Sequence, residues 1–218
     1  MGTKITNPCT LHAARYIADQ AVYRGLVKDI PPARPTCNHV GVVLADSILQ
    51  AGLNYTTVVK PRIQSIFYRY PKETTVTALQ AIIEETGVEK FLQWKHHEKL
   101  TRFENLVSMI AKHEIESTID LHDTLKHKSF RNELLRIKGI GPKTIDYMAC
   151  LVGVDCIAVD RHIRGFAELA GLEDNNYDYL RDAFSYAADL LGLHRREFDA
   201  SIWRFQSSKQ NKQSALDF

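Results

Sequence analysis

Apolar residues recur at helical spacing along nearly the whole chain, and this periodicity constrains its fold more than any other feature. Runs that alternate apolar and polar residues, which would indicate half-buried strands, are almost absent. We therefore expect an all-α protein. The predicted helices cover residues 9–27, 39–52, 61–70, 76–86, 88–95, 100–112, 117–125, 130–137, 142–153, 161–171, 178–191 and 196–205.

Two segments interrupt or end this helical pattern. The stretch KDIPPARPTCN at residues 28–38 contains three prolines and predicts a linker or a domain crossing. The polar C-terminal stretch SSKQNKQSALDF is expected to fray. A chain of 218 residues with 44% hydrophobic content can bury one large core or two small ones.

The overall charge and the cysteine spacing give no evidence for a polyanionic partner, a disulfide framework or a metal knuckle. The net charge of +2 is too balanced to imply a polyanionic partner by itself, so a nucleic-acid argument depends on where the charges lie. The cysteine spacings fit neither a disulfide framework nor a metal knuckle, so we expect reduced, mostly buried thiols at Cys9, Cys37, Cys150 and Cys156. The N-terminus lacks the apolar core of a signal peptide, and no window approaches eighteen apolar residues, so we expect a cytoplasmic protein.

The stretch LLRIKGIGPKTIDYMACLVGVDCIAVD, residues 134–160, carries the strongest functional signal. The predicted chain path is a helix that ends at Gly139, a turn through Ile140 and Gly141, and a second helix that begins at Pro142. Backbone N–H groups in such a turn can approach a phosphate closely, with the positive end of the second helix behind them. A simple corner between two helices is the alternative interpretation.

The residues around this turn are strongly basic. Glu133 is the one acid between residues 126 and 143, which leaves a local charge of 6 − 1 = +5. Such an asymmetry in a nearly neutral protein favours a phosphate-facing surface, although a solvated basic face would look the same. The basic residues are Lys126, Lys128, Arg131, Arg136, Lys138 and Lys143.

Lys143 and Asp160 are the candidate catalytic pair. Lys143 lies in the first turn of a predicted helix, where the helix dipole disfavours a cation and a neutral, nucleophilic amine is favoured. The helix from Lys143 to Gly153 advances about 15 Å. An extended return to Asp160 covers a similar distance, so we expect the carboxylate beside the amine. Asp160 is also expected to cap the next helix.

Two segments, IKGIGPKTIDY and AVDRHI, together resemble the helix-hairpin-helix Gly/Pro-Asp superfamily of DNA glycosylases, most closely its endonuclease III branch. The aspartate of the second segment lies seventeen residues after the lysine of the first. The similarity is specific over residues 130–170 and extends more weakly from residue 38 to the C-terminus. It implies two helical domains with a DNA-binding cleft between them. The central helical barrel would span residues 34–153, and residues 1–33 plus 154–218 would form a discontinuous second domain.

The resemblance implies a base-excision-repair glycosylase with AP-lyase activity. Lys143 would attack the anomeric carbon of a flipped nucleotide, and Asp160 would stabilise the positive charge that develops on the sugar. Gln50, in ADSILQAG, matches a glutamine that fills the gap left by the flipped base, although an ordinary polar residue at a helix end is equally consistent with it. Asn54 and Tyr55, just beyond it, could line the pocket. DNA contacts are expected from Lys138, Gly139, Ile140, Gly141, His162 and Arg164.

The same resemblance defines expectations about cofactors and partners. No cysteine follows Cys156, so no iron-sulfur cluster of the endonuclease III type can form, and no cofactor or metal is required. The resemblance allows a monovalent cation at the hairpin carbonyls. The expected partner is double-stranded DNA with a damaged base or an abasic site. We expect a cytoplasmic monomer without membrane association, which would be associated with the nucleoid if its source is a bacterium or an archaeon.

The residues leave the lesion and the exact chemistry open. Lys138 stands where relatives often have proline, and Pro142 where they often have arginine, which blurs the subfamily. Oxidised pyrimidines are the first expectation. A monofunctional glycosylase acting on uracil or thymine mismatches or on 8-oxoguanine, and a non-enzymatic DNA-binding module, are the alternatives.

Other candidate residues are expected to have structural or surface roles. No carboxylate lies at a spacing that completes a metal site, so the histidines are expected on the solvated surface: His96, His97, His122 and His127. Trp94 and Trp203 lie in apolar-periodic helices and are expected in the core.

Overall fold

The structure is a computed structural model that describes residues 8–27 and 35–214, with side chains at 9–27 and 35–208. Over these ranges the chain is all-α, and they contain no β-strand. The helices are α1 Pro8–Tyr23, α2 Val40–Leu49, α3 Lys60–Arg69, α4 Val76–Thr86, α5 Val88–Leu92, α6 His97–Lys112, α7 Thr118–Thr124, α8 Lys128–Leu134, α9 Pro142–Leu151, α10 Arg161–Leu169, α11 Tyr177–Leu190 and α12 Arg195–Ser214.

A π-helical turn, Tyr55–Val59, precedes α3 and was not expected from the sequence. Asn54 caps this turn by accepting a hydrogen bond from the Thr57 N–H at 3.0 Å. Pro61 lies in the first turn of α3, where the missing N–H of proline is tolerated. π-Helical turns are often found near functional sites.

Several predicted helix ends are wrong, and those of α8 and α12 differ most from the structure. Helix α8 ends at Leu134, not at Gly139, because the chain continues in tight turns with N–H to carbonyl bonds three residues apart, such as Ile137 to Leu134 at 3.1 Å. Helix α12 continues to Ser214, although the sequence predicts a helix end at 205 and a fraying tail. Residues 28–34 of the predicted linker lie outside the described residues.

Contacts divide the chain into two compact units, one of residues 35–154 and one of residues 1–34 and 155–218. In the 35–154 unit, α2 is the central helix, since all ten of its residues are buried and it contacts α3, α4, α6 and α9. The second unit packs α1 against α11 and α10 against α12. Its core includes Ile17, Phe166, Phe184, Phe198 and Ile202.

Some side-chain expectations need correction. Trp203 is 40% exposed, so its predicted core position is wrong, and its ring instead packs edge-on against His162 at 5.9 Å between centroids. Trp94 is partly buried beneath the Arg62 guanidinium. None of the four cysteines forms a disulfide, but Cys9 is exposed rather than buried. Within the described residues, no helix is long and apolar enough to cross a membrane.

Candidate functional site

The turn between α8 and α9 has the glycine geometry that the sequence predicts. Gly139 has φ +85°, a left-handed conformation that strongly favours glycine, and Gly141 is the N-cap of α9 with φ −107°. Pro142 is the first residue of α9, as predicted. Between the glycines, Ile140 is 4% exposed, so its side chain anchors the turn in the core of the 35–154 unit.

The two glycines leave backbone donors open. Among the hydrogen bonds of the described residues, the N–H groups of Gly139 and Gly141 have no acceptor. A Cβ built at Gly141 would meet no atom within 4 Å, so the space in front of this residue is open. Two open N–H groups at the positive end of a ten-residue helix form a surface that can accept an anion such as a phosphate.

Arg102 of α6 packs against this turn and was not identified from the sequence. Its Nε donates a hydrogen bond to the carbonyl of Lys138 at 2.9 Å. A Cβ at Gly139 would lie 1.9 Å from the Arg102 Nη2, so the guanidinium occupies the space that the missing side chain leaves. Arg102 therefore fixes the shape of the turn and adds a positive charge beside it.

The basic run around the turn is partly used within the protein. Lys126 donates to Asp123 at 2.9 Å. Arg131 forms an ion pair with Asp146, whose side chain is only 2% exposed, so it joins α8 to α9 instead of facing solvent. The exposed basic residues of this run are Lys126, Lys128, Arg136 and Lys138, of which Lys138 also lies 3.9 Å from the carboxylate of Glu98.

Lys143 lies in the first turn of α9 and is partly buried. Its Nζ donates a hydrogen bond to the Oε1 of Gln50. The same Nζ lies 5.1 Å from the ring centroid of Tyr147, one turn further along α9. The structure thus brings together two of the predicted site residues, Lys143 and Gln50, and adds an aromatic ring below the amine.

Asp46 is a buried carboxylate next to this group. It is 4% exposed and accepts hydrogen bonds from the hydroxyls of Tyr147 and Tyr55, each at 3.2 Å. Tyr55, predicted as a pocket residue, therefore faces α2. Sequence reasoning overlooked Asp46, although an acidic residue in the otherwise apolar segment VGVVLADSIL is a usable signal, because a buried carboxylate needs partners.

Lys99 of α6 approaches the C-terminal end of α2. Its Nζ donates to three carbonyls, those of Ile48 at 2.9 Å, Leu49 at 3.2 Å and Ala51 at 2.7 Å. Burial, and then the positive charges of Arg102 and Lys143, lower the pKa of Lys99 to about 8. A cation at the C-terminal end of a helix satisfies carbonyls that have no partner within the helix.

Gln50 is the C-cap residue of α2, and its N–H donates to the carbonyl of Asp46 at 3.0 Å. Gln50 therefore ends a helix, as one of the two interpretations predicts, and it also contacts the candidate nucleophile. Its role in filling the gap left by a flipped base stays a prediction. Its Nε2 is buried and has no hydrogen-bond partner among the described residues. An amide with one bonded oxygen and one unused nitrogen is able to bond a further acceptor.

Asp160 lies in the other unit and is the N-cap of α10, as predicted. Its Oδ1 accepts hydrogen bonds from the N–H groups of His162 at 2.7 Å and Ile163 at 3.0 Å. Within that unit, His162 is 5% exposed, so a phosphate contact through its ring would require exposure of the ring. Arg164 donates to the carbonyl of Asn175 and thus secures the loop before α11.

The described residues contain no group of three histidine, cysteine or carboxylate side chains that could hold a metal ion. His96, His97 and His127 are exposed, and His122 bonds to Asp123 at 3.0 Å. At the hairpin, the carbonyls of Ile137 and Gly141 already accept backbone hydrogen bonds.

Comparison with known proteins gives one family and no individual relatives. No curated protein and no solved structure matches the chain. One family model matches residues 20–207, which is most of the chain and includes every candidate site residue described above. The chain therefore belongs to the family described as a domain of unknown function, DUF8548.

Proposed function

We propose that this protein is a DNA glycosylase with AP-lyase activity, as its resemblance to the helix-hairpin-helix Gly/Pro-Asp glycosylases implies. The Nζ of Lys143 attacks C1′ of the damaged nucleotide, and the C1′–base bond breaks as the base leaves with a proton. The sugar ring then opens as the C1′–O4′ bond breaks and O4′ takes a proton from the nitrogen, which gives an imine. The imine allows loss of a C2′ proton and of the 3′ phosphate, which nicks the strand. This chemistry uses an amine and needs no cofactor.

One observation carries the proposal: the Lys143 amine follows directly after a glycine turn with open backbone donors. The N–H groups of Gly139 and Gly141 can hold a DNA phosphate, and Lys143 follows two residues after Gly141, in the first turn of α9. A phosphate bound at the turn would therefore place its sugar near the amine. The helix-hairpin-helix motif that the resemblance implies would hold a phosphate in this way.

The surroundings of Lys143 suit a flipped nucleotide. Tyr147 offers a ring face on which a base can stack, and the amide nitrogen of Gln50 could read a base edge once its burial is relieved. Arg102 and Lys143 lie close enough to Lys99 for their positive charges to lower its pKa, which makes this end of α2 a positively charged region. Asp160 is proposed to stabilise the sugar cation from the DNA-binding cleft that the resemblance implies.

Borohydride trapping tests the covalent step. An abasic-site duplex incubated with the protein and sodium borohydride should give a covalent protein–DNA adduct, and Lys143→Ala should abolish it. Lys90→Ala, at an exposed lysine of α5, is the matched control and should trap DNA normally. Failure of the wild-type protein to form an adduct, or an adduct that survives Lys143→Ala, would exclude Lys143 as the nucleophile.

A second candidate function is favoured by the ring of Tyr147. A ring face 5.1 Å from Nζ stabilises a charged ammonium, which binds phosphate but does not attack carbon. In this monofunctional glycosylase, Asp160 activates a water and the product is an intact abasic site. The wild-type protein would then release free base from lesion DNA but give no borohydride adduct and no strand cleavage without alkali.

The Asp160→Asn variant separates both enzymes from a non-enzymatic DNA-binding module. Asparagine keeps the cap of α10, because its side-chain oxygen accepts the same N–H bonds. The enzymes should lose base release and keep DNA affinity, whereas a binding module should change in neither. A panel of duplexes with an oxidised pyrimidine, uracil, a thymine mismatch or 8-oxoguanine then identifies the lesion.

A further inference from the structure

Helix α3 carries aromatic side chains that the interior of the protein does not use. Tyr68 is 79% exposed and Phe67 is 47% exposed, whereas Ile66 beside them is buried. Phe67 lies next to the ring of His39, at 6.2 Å between centroids. Because aromatic rings gain free energy when they leave water, a partner that covers this pair would be stabilised by the contact.

The same helix and its flanks carry positive charges that no carboxylate neutralises. From residue 47 to residue 72 the sequence contains no acidic residue and four basic ones, Lys60, Arg62, Arg69 and Lys72. Among the described residues, none of these four forms an ion pair. Glu73, the next acid in the chain, accepts a hydrogen bond from the N–H of Lys72 at 3.1 Å. An unpaired local charge of this kind attracts a polyanion.

Two of these cations are held in place by backbone carbonyls. Arg69 donates from Nη2 to the Phe91 carbonyl at 2.7 Å. Arg62 donates from Nε to the Gln93 carbonyl at 3.0 Å, and its guanidinium lies 5.1 Å from the ring centroid of Trp94. A carbonyl satisfies a donor without cancelling its charge, so both arginines are ordered and still positive. An ordered side chain loses less entropy when it binds a phosphate.

This part of α3 lies away from the candidate nucleophile. Phe67 is next to His39, the N-cap residue of α2, whereas Lys143 bonds to Gln50, the C-cap residue of α2. The two ends of α2 are about 16 Å apart along the helix axis, at about 1.5 Å per residue. The exposed rings therefore form a second surface of the 35–154 unit, separate from Lys143.

We propose that this α3 surface, formed by Lys60, Arg62, Phe67, Tyr68, Arg69 and Lys72, binds a single-stranded nucleic acid. The cations contact phosphates, and the two aromatic rings stack on bases. The strand must have unpaired bases, because the base faces of a duplex are already stacked on each other. A membrane surface suits these residues less, since none of the exposed residues of α3 is Leu, Ile or Val. This inference does not depend on the proposed function, because an undamaged strand tests it.

Fluorescence anisotropy with a labelled single-stranded oligothymidine tests the stacking. Tyr68→Ala should weaken binding at least about fivefold, as expected for the loss of one base–aromatic stack. Tyr68→Phe should stay within about twofold of the wild type, because it keeps the ring that stacks. Tyr23→Ala, at a tyrosine of α1 that is 83% exposed, is the matched control and should bind normally.

Three results of this experiment would overturn the inference. The first is a wild-type protein that does not bind the oligonucleotide. The second is equal binding by the wild type and Tyr68→Ala. The third is a loss in Tyr68→Phe or Tyr23→Ala as large as the loss in Tyr68→Ala. Circular dichroism of each variant establishes that the compared proteins are folded, and the high exposure of Tyr68 makes unfolding by its replacement unexpected.

The salt dependence of the affinity tests the charges. The double variant Lys60→Gln and Lys72→Gln should reduce the magnitude of the slope of log K against log[salt] by about 1.4, since each phosphate contact with a single strand contributes about 0.7. Both lysines are exposed, so their replacement should leave the fold intact. An unchanged slope would overturn the assignment of these lysines to phosphates.

Photocrosslinking locates the bound base. An oligonucleotide that contains 5-iodouracil should crosslink to the peptide with Phe67 and Tyr68, identified by mass spectrometry. Crosslinks confined to the peptide with Lys143 would overturn the inference. So would binding to phosphatidylserine vesicles that depends on Tyr68, if binding to the oligonucleotide does not. A protein that binds the strand through Tyr68 but traps no abasic-site DNA would keep this inference and lose the lyase, and the converse would lose this inference alone.

Discussion

The amine of Lys143 donates a hydrogen bond to the side-chain oxygen of Gln50, 93 residues earlier in the chain. The bond joins the first turn of α9 to the C-terminal end of α2 inside the 35–154 unit. Around it lie a buried carboxylate, Asp46, and the partly buried amine of Lys99. A lysine amine, an amide and a carboxylate in one compact unit are groups that catalysis can use.

A neutral apolar residue and an acidic residue in place of Gln50 should change the reactivity of Lys143 in opposite directions. Gln50→Ala removes a polar acceptor that stabilises the ammonium, whereas Gln50→Glu places a negative charge against it. We expect Gln50→Glu to raise the pH midpoint of Lys143 acetylation by about one pKa unit or more. Gln50→Ala should leave the midpoint equal to or below that of the wild type. A Glu variant with an unchanged midpoint would contradict the observed hydrogen bond.

Alanine at the two glycines of the turn should separate folding from DNA binding. Gly139→Ala forces φ +85° on a residue with a Cβ and displaces Arg102, so we expect a loss of about 1–2 kcal/mol in the free energy of unfolding. Gly141→Ala meets open space at φ −107° and should not change stability. If the turn holds a phosphate, Gly141→Ala should still weaken DNA binding several-fold in fluorescence anisotropy.

The buried ion pair between Arg131 and Asp146 should contribute strongly to stability. Arg131→Met removes the arginine partner of a carboxylate that is 2% exposed, and we expect a loss of roughly 3–5 kcal/mol in urea unfolding. Lys126→Met, which breaks an exposed pair with Asp123, is the control and should change little. Equal effects of the two variants would show that the Arg131 pair is not buried in solution.

Acidification should weaken the start of α2 through His39. The ring is 1% exposed, its Nε2–H donates to the Tyr70 carbonyl at 2.9 Å, and its Nδ1 accepts from the Val42 N–H at 3.3 Å, which requires the neutral form. Burial lowers the pKa of His39 from its ordinary 6.5. The contribution of neutral His39 to the free energy of unfolding is therefore complete above pH 6.5. It is lost as the pH falls from 6.5 towards the lower pKa that His39 has in the folded state.

The variant His39→Asn isolates this effect. Asparagine can accept the Val42 N–H bond and does not titrate, so the cap is kept at all pH values. The free energy of unfolding of the wild type should fall more steeply below pH 6.5 than that of His39→Asn. Parallel curves would mean that His39 titrates normally, because all other histidines are common to the two proteins.

The local elements could be predicted because their signals are local. Helical periodicity gives the all-α class, Gly139 and Pro142 give the turn and the start of α9, and Asp160 is the cap of α10. The end of α8 and the extension of α12 were missed, since apolar spacing does not distinguish a last helical turn from the tight turns that follow it. Apolar spacing also predicted Trp203 in the core, whereas this residue is 40% exposed in the structure.

The amino-acid sequence by itself determined the helices, the glycine turn and the lysine at the start of α9, since each depends on residues within one or two helical turns. Tertiary packing decided what surrounds that lysine. Asp46 lies in α2, Gln50 is its C-cap residue, and Lys99 lies in α6. These residues come close to Lys143 only because α6 and α9 both pack against α2. Helical spacing describes which face of a helix is buried, and it contains no information about which distant side chain the buried face will meet.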